Sequence, residues 1–255
     1  MIAKILFIDI ETAPNMAYVW GAWKQNIGQK QWLNKSYIMS VSWKWLDDLI
    51  PDYVENRGNN DAPLVKTIYD LLDKADIVVA HNAKKFDIPM VLGRGVVHGY
   101  NPPSPFHVVD TYDIARRELR FVSNSLMNLC EELDLPRKED HKKFPGFELW
   151  VECLKGNDEA WKEMREYNIH DVISLEALYL RLRPYMRNHP NVVRELYEDE
   201  VRCSKCGSSN IQWRGYYYTK AGLCYRRFQC KDCGGWGRSR YMEKDRPTNQ
   251  GRNAT

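Results

Sequence analysis

The stretch Phe7-Ile-Asp-Ile-Glu-Thr12 sets two carboxylates two residues apart inside an otherwise apolar segment. Side chains alternate across a β-strand, so Asp9 and Glu11 point to one face, while Ile8 and Ile10 enter the core on the other. Two acids side by side at the end of a buried strand repel each other, and a bound cation offsets that cost. Read alone, the stretch leaves a second interpretation open, in which both acids are simply exposed.

A third acid, Asp87, ends the segment His81-Asn-Ala-Lys-Lys-Phe-Asp87, which follows a strand predicted over 77–80. Phe86 is predicted to be an apolar anchor beside the acid, and Asn82 to tether the loop through its amide. The alternative is an ordinary loop-to-helix junction in which Asp87 caps the helix.

A fourth acid, Asp171, stands four residues after Tyr167 in a helical pattern. Residues at this spacing are neighbours on one helix face, so the phenol and the carboxylate are predicted to be adjacent. A purely structural Tyr–Asp hydrogen bond is the alternative. His170 points about 100° away from Asp171 around the helix, which makes it a flanking group and not a primary catalytic one.

Hydrophobic periodicity predicts an α/β domain with a mixed sheet. The predicted strands cover 4–10, 37–43, 77–80 and 106–109, and the second of them alternates as a half-buried strand does. The predicted helices cover 61–74, 125–133 and 159–182. Asp110 and Thr111 are predicted to cap a further helix that begins near residue 112.

The overall composition is that of a globular protein, with 44% hydrophobic and 28% charged residues. The apolar runs are of strand length, far from the ~20 residues that a membrane-spanning helix needs. The first residues lead directly into a strand pattern, without the features of a signal peptide. We therefore expect a cytoplasmic protein with no membrane contact.

Cysteine spacing predicts a zinc ribbon near the C-terminus. Four of the seven cysteines form two CxxC pairs: Cys203, Cys206, Cys230 and Cys233. Gly207 and Gly234 each follow a pair and supply the flexible backbone that a metal-binding knuckle needs. Disulfides are the alternative, although nothing else in the chain is typical of a secreted protein. Cys130 and Cys153 are predicted to be buried thiols in helices, and Cys224 is not predicted to be a ligand.

The net charge of +3 is unevenly distributed. From Asp199 onward, 12 Lys and Arg stand against 5 Asp and Glu, which leaves the preceding residues at −4. A basic tail on a mildly acidic body favours binding of a polyanion by the tail, with a solvated basic surface as the alternative. The predicted organisation is a catalytic domain over 1–185, a connector over 186–200, the ribbon over 201–242 and a flexible tail over 243–255.

Together, the three acidic segments resemble the exonuclease motifs of the DnaQ-like DEDD family, whose fold is ribonuclease H-like. Asp-Ile-Glu-Thr resembles its first motif. The segment 82–87 is similar to the second, in the form seen in family B polymerase proofreading domains. Tyr167-x-x-x-Asp171 resembles the third motif of the tyrosine subclass; the histidine subclass would need His where Glu166 stands. The resemblance covers about 1–185. Free-standing phage and bacterial members, including the YprB-like group, are resembled by the segments Val19-Trp-Gly-Ala-Trp-Lys-Gln-Asn26 and Tyr37-Ile-Met-Ser-Val-Ser-Trp-Lys-Trp45.

The resemblance implies a mixed central sheet flanked by helices, and a 3′→5′ exonuclease that uses two Mg²⁺ or Mn²⁺ ions. It implies that Asp9 bridges both ions and that Glu11 and Asp171 complete the site on the side of the attacking water. Asp87 would support the leaving-group side through water, and Tyr167 would orient the attacking water. A phenol with a pKa near ~10 is a poor general base, so the metal would do most of the deprotonation.

The predicted partner is nucleic acid, with single-stranded DNA favoured, RNA open, and a replication or repair protein as a further partner. Aromatic and Arg residues interleaved in the ribbon suit base stacking and phosphate contact, although about half of the aromatics are expected to form its small core. The predicted nucleic-acid contacts are Asn82, Lys84, Arg214, Tyr217, Arg226, Arg227, Trp236 and Arg238. Three alternatives stay open: a structure-selective endonuclease, a ribonuclease, and a binding protein that recruits partners through the ribbon.

Overall fold

The computed structural model describes residues 2–137, 143–194 and 200–243. The chain divides into two compact units, a larger one of Lys4–Tyr179 and a smaller one that combines Met1–Ala3 with Leu180–Thr255. The predicted boundaries of the connector and of the ribbon stay predictions. Part of the predicted connector, 195–199, and the predicted flexible tail beyond residue 243 lie outside the described residues.

The larger unit is built on a five-stranded mixed sheet. Its five strands are β1 (Ile5–Thr12), β4 (Ile38–Trp45), β5 (Asp52–Glu55), β6 (Ile77–Ala80) and β7 (His107–Asp110), and a separate short pair is formed by β2 (Met16–Ala17) and β3 (Trp32–Asn34). The order in the sheet is β5-β4-β1-β6-β7. β1 pairs antiparallel with β4 and parallel with β6, so the central strand joins the two halves of the sheet. The α/β class and the mixed sheet are thereby confirmed.

Helices cover both faces of this sheet. They are α1 (Ala62–Leu72), α2 (Asp87–Val97), α3 (Thr111–Glu118), α4 (Leu126–Glu132), α5 (Glu148–Leu154) and α6 (Asp158–Leu182). Ile8 and Ile10 pack in one core cluster with Leu64 and Ile68 of α1, as the alternation in β1 predicts. On the opposite face, the ring of Phe7 meets that of Tyr179 from α6, with 5.3 Å between their centroids. Asp9 and Glu11 alternate with Ile8 and Ile10, so they lie on the α6 side.

The prediction that the strand over 37–43 is half-buried is wrong. β4 lies between β1 and β5 and is almost fully buried, because α6 covers the face on which its polar residues lie. Ser40 and Ser42 are completely buried, and the ammonium of Lys44 pairs with Glu176 of α6 at 2.6 Å. Polar–apolar alternation here reflects a polar interface with a helix and not a solvent-exposed face.

Asp110 caps α3, as the sequence predicts. Its carboxylate accepts hydrogen bonds from the backbone N–H groups of Tyr112 and Asp113, while Thr111 is the first residue of the helix and not part of the cap. Ser125, which was not predicted as a cap, accepts a hydrogen bond from the backbone N–H of Asn128 at the start of α4. Neither β5 nor α5 was predicted as an element from periodicity, although Cys153 was correctly expected to be a buried thiol in a helix.

The smaller unit holds a three-stranded antiparallel sheet of β8 (Ile211–Tyr218), β9 (Cys224–Cys230) and β10 (Trp236–Arg238), with β9 in the centre. A small core forms around Phe228, whose exposed fraction is 2%. Gly207 and Gly234 both adopt positive φ angles, of 79° and 74°, directly after the CxxC pairs. In the part of the chain that the structure describes, no helix is long and apolar enough to cross a membrane.

Candidate functional site

Three carboxylates from two elements meet on the α6 side of the central strand. Asp9 and Glu11 come from β1 and Asp171 comes from α6, and one oxygen from each lies within 4.8 Å of the others. Asp9 and Glu11 are partly exposed, whereas Asp171 is 9% exposed. The cluster therefore combines a buried acid with two acids that solvent or a substrate reaches.

The orientation of Asp9 is set by a buried amide that the sequence analysis did not single out. Nδ2 of Asn168 donates to Oδ2 of Asp9 at 2.6 Å and to its backbone carbonyl at 3.2 Å. The hydroxyl of Ser40 donates to Oδ1 of Asn168 at 3.1 Å, which fixes which side of the amide faces the acid. Asn168 precedes Asp171 by three residues on the same helix face, a spacing that was available in the sequence.

Glu11 is held by an indole. Nε1 of Trp150, on α5, donates to Oε2 of Glu11 at 3.2 Å. The ring of Trp150 also meets the ring of Tyr167 edge to face, with centroids 5.7 Å apart. One side chain thus positions both an acid and the phenol. Nothing in the spacing around Trp150 distinguishes it from a core tryptophan, so the sequence analysis missed it.

Tyr167 lies beside the carboxylates. Burial raises the pKa of its phenol well above the usual range, and the nearby charges of Asp171, Glu11 and Asp9, with a hydrogen bond to Asp171, raise it further. The predicted adjacency of Tyr167 and Asp171 is present in the structure. A phenol in this environment keeps its proton and acts as a hydrogen-bond donor.

Asp87 stands outside the group of three. It is the first residue of α2, is 3% exposed, and is not among the acids whose oxygens lie within 4.8 Å of one another. Burial raises the pKa of its carboxyl to about 7, and Asp110 raises it too, while backbone N–H groups, including that of Ile10, lower it. Because Ile10 lies between Asp9 and Glu11, this contact places Asp87 next to the central strand but apart from the cluster.

The loop before α2 is held by hydrogen bonds from its backbone to the side chain of Asp110. Asp110 accepts hydrogen bonds from the backbone N–H groups of Asn82 and Lys84, and Asn82 has a φ of +65°. The ammonium of Lys84 lies 3.5 Å from the carboxylate of Asp113. Phe86 is 43% exposed, so its predicted role as a buried apolar anchor is wrong. The loop is fixed by Asp110 instead.

The second candidate metal centre is the cysteine group of the smaller unit. Sγ of Cys203 lies 3.6 Å from Sγ of Cys233, and Sγ of Cys206 lies 3.6 Å from Sγ of Cys230. All four sulfur atoms are within 4.8 Å of one another. A tetrahedral zinc site with bonds of about 2.3 Å requires sulfur atoms roughly 3.8 Å apart, so the group fits zinc. Cys224 is buried and outside the group.

Arginine and aromatic side chains stack in pairs on the three-stranded sheet. The guanidinium of Arg238 lies 3.8 Å from the ring centroid of Tyr225, and that of Arg227 lies 4.9 Å from the centroid of Trp236. Strand register puts these four side chains, with Tyr217, on one face.

The remaining predicted ribbon contacts lie elsewhere. Arg226 is on the opposite face, where it stacks over Trp213 at 4.2 Å. Arg214 stands at the irregularity between β8 and β9, and its guanidinium donates to Gln212. The structure thus brings together Tyr217, Arg227, Trp236 and Arg238 but not the whole predicted set.

These features define the larger unit as an α/β domain of ribonuclease H-like fold with an acidic cluster on its central strand. A family model described as the RNase_H superfamily (RNase_H_2) matches residues 6–183. The chain therefore belongs to the RNase H superfamily. Membership supports nucleic-acid cleavage in general.

Comparison with solved structures supports the same fold. The chain is similar to a family B DNA polymerase from the hyperthermophilic archaeon Pyrobaculum calidifontis, with a TM-score of 0.52 and 17% sequence identity. The match covers 71% of this chain and 25% of the polymerase chain. At this identity the likeness concerns the fold alone. No match was found among curated protein sequences.

Proposed function

We propose that the chain is a metal-dependent 3′→5′ exonuclease of the tyrosine DEDD subclass. The observation that carries the proposal is the meeting of Asp9, Glu11 and Asp171 within 4.8 Å, with Tyr167 beside them. Carboxylate oxygens are hard ligands and suit Mg²⁺ or Mn²⁺. Membership in the RNase H superfamily supports phosphodiester hydrolysis as the reaction.

In this proposal Asp9, Glu11 and Asp171 would hold two divalent ions, and Asp87 would support them from outside the cluster. Two such ions supply an activated water and stabilise charge on the attacking and leaving oxygens. Asn168 and Trp150 keep Asp9 and Glu11 in one orientation through their hydrogen bonds. Tyr167, whose hydroxyl is hydrogen-bonded to Asp171 in the structure, would retain its proton and orient the attacking water.

The smaller unit is proposed to be a zinc ribbon that assists substrate binding. The sulfur separations of 3.6 Å fit a tetrahedral zinc ion bound by four thiolates. The face with Tyr217, Arg227, Trp236 and Arg238 offers rings for bases and guanidinium groups for phosphates. A single-stranded substrate is favoured, because unpaired bases can stack on such rings, and we propose that this strand is DNA.

A digestion panel tests the proposed polarity. Single- and double-stranded DNA and RNA oligonucleotides, labelled at either end, are incubated with Mg²⁺ or Mn²⁺. We expect 5′-labelled single strands to shorten one nucleotide at a time and a 3′ label to be released at once as a mononucleotide. Circular single-stranded DNA should stay intact. Cleavage of the circle would instead favour an endonuclease, and the absence of all hydrolysis would favour a binding protein.

A further inference from the structure

A second aromatic surface lies in the larger unit, on the segment that follows β1. β2 and β3 form the base of a hairpin over residues 16–34, here called the aromatic hairpin. At its tip Trp20 is 99% exposed and Trp23 is 86% exposed, and Tyr18 is 69% exposed. Large aromatic side chains are seldom left this open to water unless they contact a partner.

The aromatic hairpin leaves the sheet at the end that holds the acids. Beyond Glu11 the β1–β4 pairing continues, with the backbone N–H of Ala13 donating to the carbonyl of Tyr37 at 2.9 Å. The arms are joined further out by Tyr18, whose N–H donates to the carbonyl of Gln31 at 2.9 Å. Trp20 follows Glu11 by nine positions, so even a fully extended chain keeps the Cα atom of Trp20 within roughly 32 Å of that of Glu11.

Charge on the aromatic hairpin and its flanks indicates the chemistry of the partner. Between Ala13 and Tyr37 the sequence contains Lys24, Lys30 and Lys35 and no Asp or Glu. This contrasts with the net negative charge of the chain before Asp199. Exposed rings next to lysines match a ligand that offers both flat apolar faces and phosphates, which is a single-stranded nucleic acid. A duplex hides its base faces and would leave the indoles without partners.

We propose that the aromatic hairpin binds single-stranded nucleic acid, with Trp20 and Trp23 stacking on unpaired bases and the lysines contacting phosphates. The proposal rests on the proposed function, because the bound strand is the substrate of the neighbouring acidic cluster. It adds a binding surface separate from the ribbon and from the loop at Asn82 and Lys84.

The test measures binding without hydrolysis. Anisotropy of fluorescein-labelled oligo-dT and oligo-U is recorded for the full chain in buffer without Mg²⁺ or Mn²⁺, for wild type and for Trp20→Ala/Trp23→Ala. We expect the double variant to bind at least about tenfold more weakly than wild type, either to both strands or to the one that the protein uses. An oligonucleotide of the same length with abasic sites should bind both proteins almost equally, since it has no bases to stack.

Two matched variants keep the result interpretable. Leu49→Ala/Ile50→Ala removes apolar side chains that are 95% and 76% exposed on the β4–β5 turn, at the opposite end of the β1–β4 pair, and should bind like wild type. Trp20→Phe/Trp23→Phe retains rings and should recover most of the affinity. Wild-type affinity in the double alanine variant, or an equal loss on the abasic strand, would overturn the proposal.

The same variants separate this proposal from the proposed function. If wild type hydrolyses oligonucleotides but the double alanine variant binds them normally, the aromatic hairpin has another partner and the nuclease assignment stands. If the stacking loss is seen but no metal ion supports hydrolysis, the hairpin proposal stands and the nuclease assignment fails.

Discussion

Asn168 is completely buried on α6 and donates to both the carboxylate and the carbonyl of Asp9. Groups that orient a metal ligand in this way usually affect metal affinity or activity by about 10–100-fold when they are removed. The amide holds an acid of the central strand against the helix that carries Asp171. Asn168 is therefore a positioning residue of the cluster.

We predict that Asn168→Leu lowers kcat by roughly 10–100-fold and raises the Mg²⁺ concentration for half-maximal activity. Ser40→Ala should act in the same direction but less strongly, because Ser40 orients the amide and does not contact Asp9. Ser174→Ala, at another buried position of α6, serves as the control for folding. Unchanged rates and metal dependence in Asn168→Leu would contradict this role.

At the residue scale, alternation in a strand and i, i+4 spacing in a helix are local rules, so they place Asp9, Glu11 and the Tyr167–Asp171 pair from sequence. Asp87 follows no such rule. Its separation from the cluster depends on how α2 packs beside the sheet. Trp150 was missed for the same reason, because its hydrogen bond to Glu11 spans 139 residues of sequence.

Among the elements, α2 packs closely on α1 at a glycine. A Cβ atom at Gly95 would overlap the ring of Tyr69, whereas a Cβ at Gly93 would meet nothing within 4 Å. Tyr69 is 5% exposed and also donates to the carbonyl of Leu92, so its ring has little freedom to move. The approach of the two helices at Gly95 fixes α2, which begins with Asp87.

Alanine variants of these two glycines test the packing. Gly95→Ala should lower the free energy of unfolding by about 1–3 kcal/mol, because the added methyl group overpacks a filled space. Gly93→Ala should leave it unchanged or raise it by up to about 1 kcal/mol, because alanine favours the helix at an exposed position. Urea unfolding of both variants measures the difference; equal effects would show that α1 and α2 do not meet as described.

The ribbon is predicted to depend on its metal. Protein purified without added zinc should contain about one zinc per chain, and Cys206→Ser should lose most of it and bind single-stranded oligonucleotides more weakly. Cys224→Ala is the matched control, because Cys224 is buried in β9 but outside the group of four. Full zinc content in Cys206→Ser, measured by elemental analysis, would argue against the site.

At the element scale, sequence periodicity predicts β1, β6, α1 and α6 because each has one clear apolar pattern. It misjudges β4, whose buried serines face α6 and resemble a solvent-exposed row. It does not identify β5, in which an acid stands on each side of Tyr53 and Val54, or α5, in which no apolar period was recognised. Their positions depend on tertiary contacts.

In the whole molecule, the acidic cluster and the excess of positive charge lie in different parts of the chain. The acids lie in the larger unit, while the excess of positive charge lies beyond Asp199 and in the segment around the aromatic hairpin. An acidic cluster repels the phosphates that it must cleave unless cations offset the charge. Bound divalent ions and the basic segment around the aromatic hairpin would together make a polyanionic substrate acceptable.

We propose that the cluster of Asp9, Glu11 and Asp171 hydrolyses phosphodiester bonds with divalent ions. The most direct test is single-stranded oligonucleotide hydrolysis by wild type, Asp9→Ala and the surface control Asp70→Ala, over a range of Mg²⁺ and Mn²⁺ concentrations. We predict activity in wild type and Asp70→Ala, none in the absence of metal, and none in Asp9→Ala with an unchanged melting temperature. Undiminished turnover by folded Asp9→Ala protein would show that this cluster does not carry out the hydrolysis.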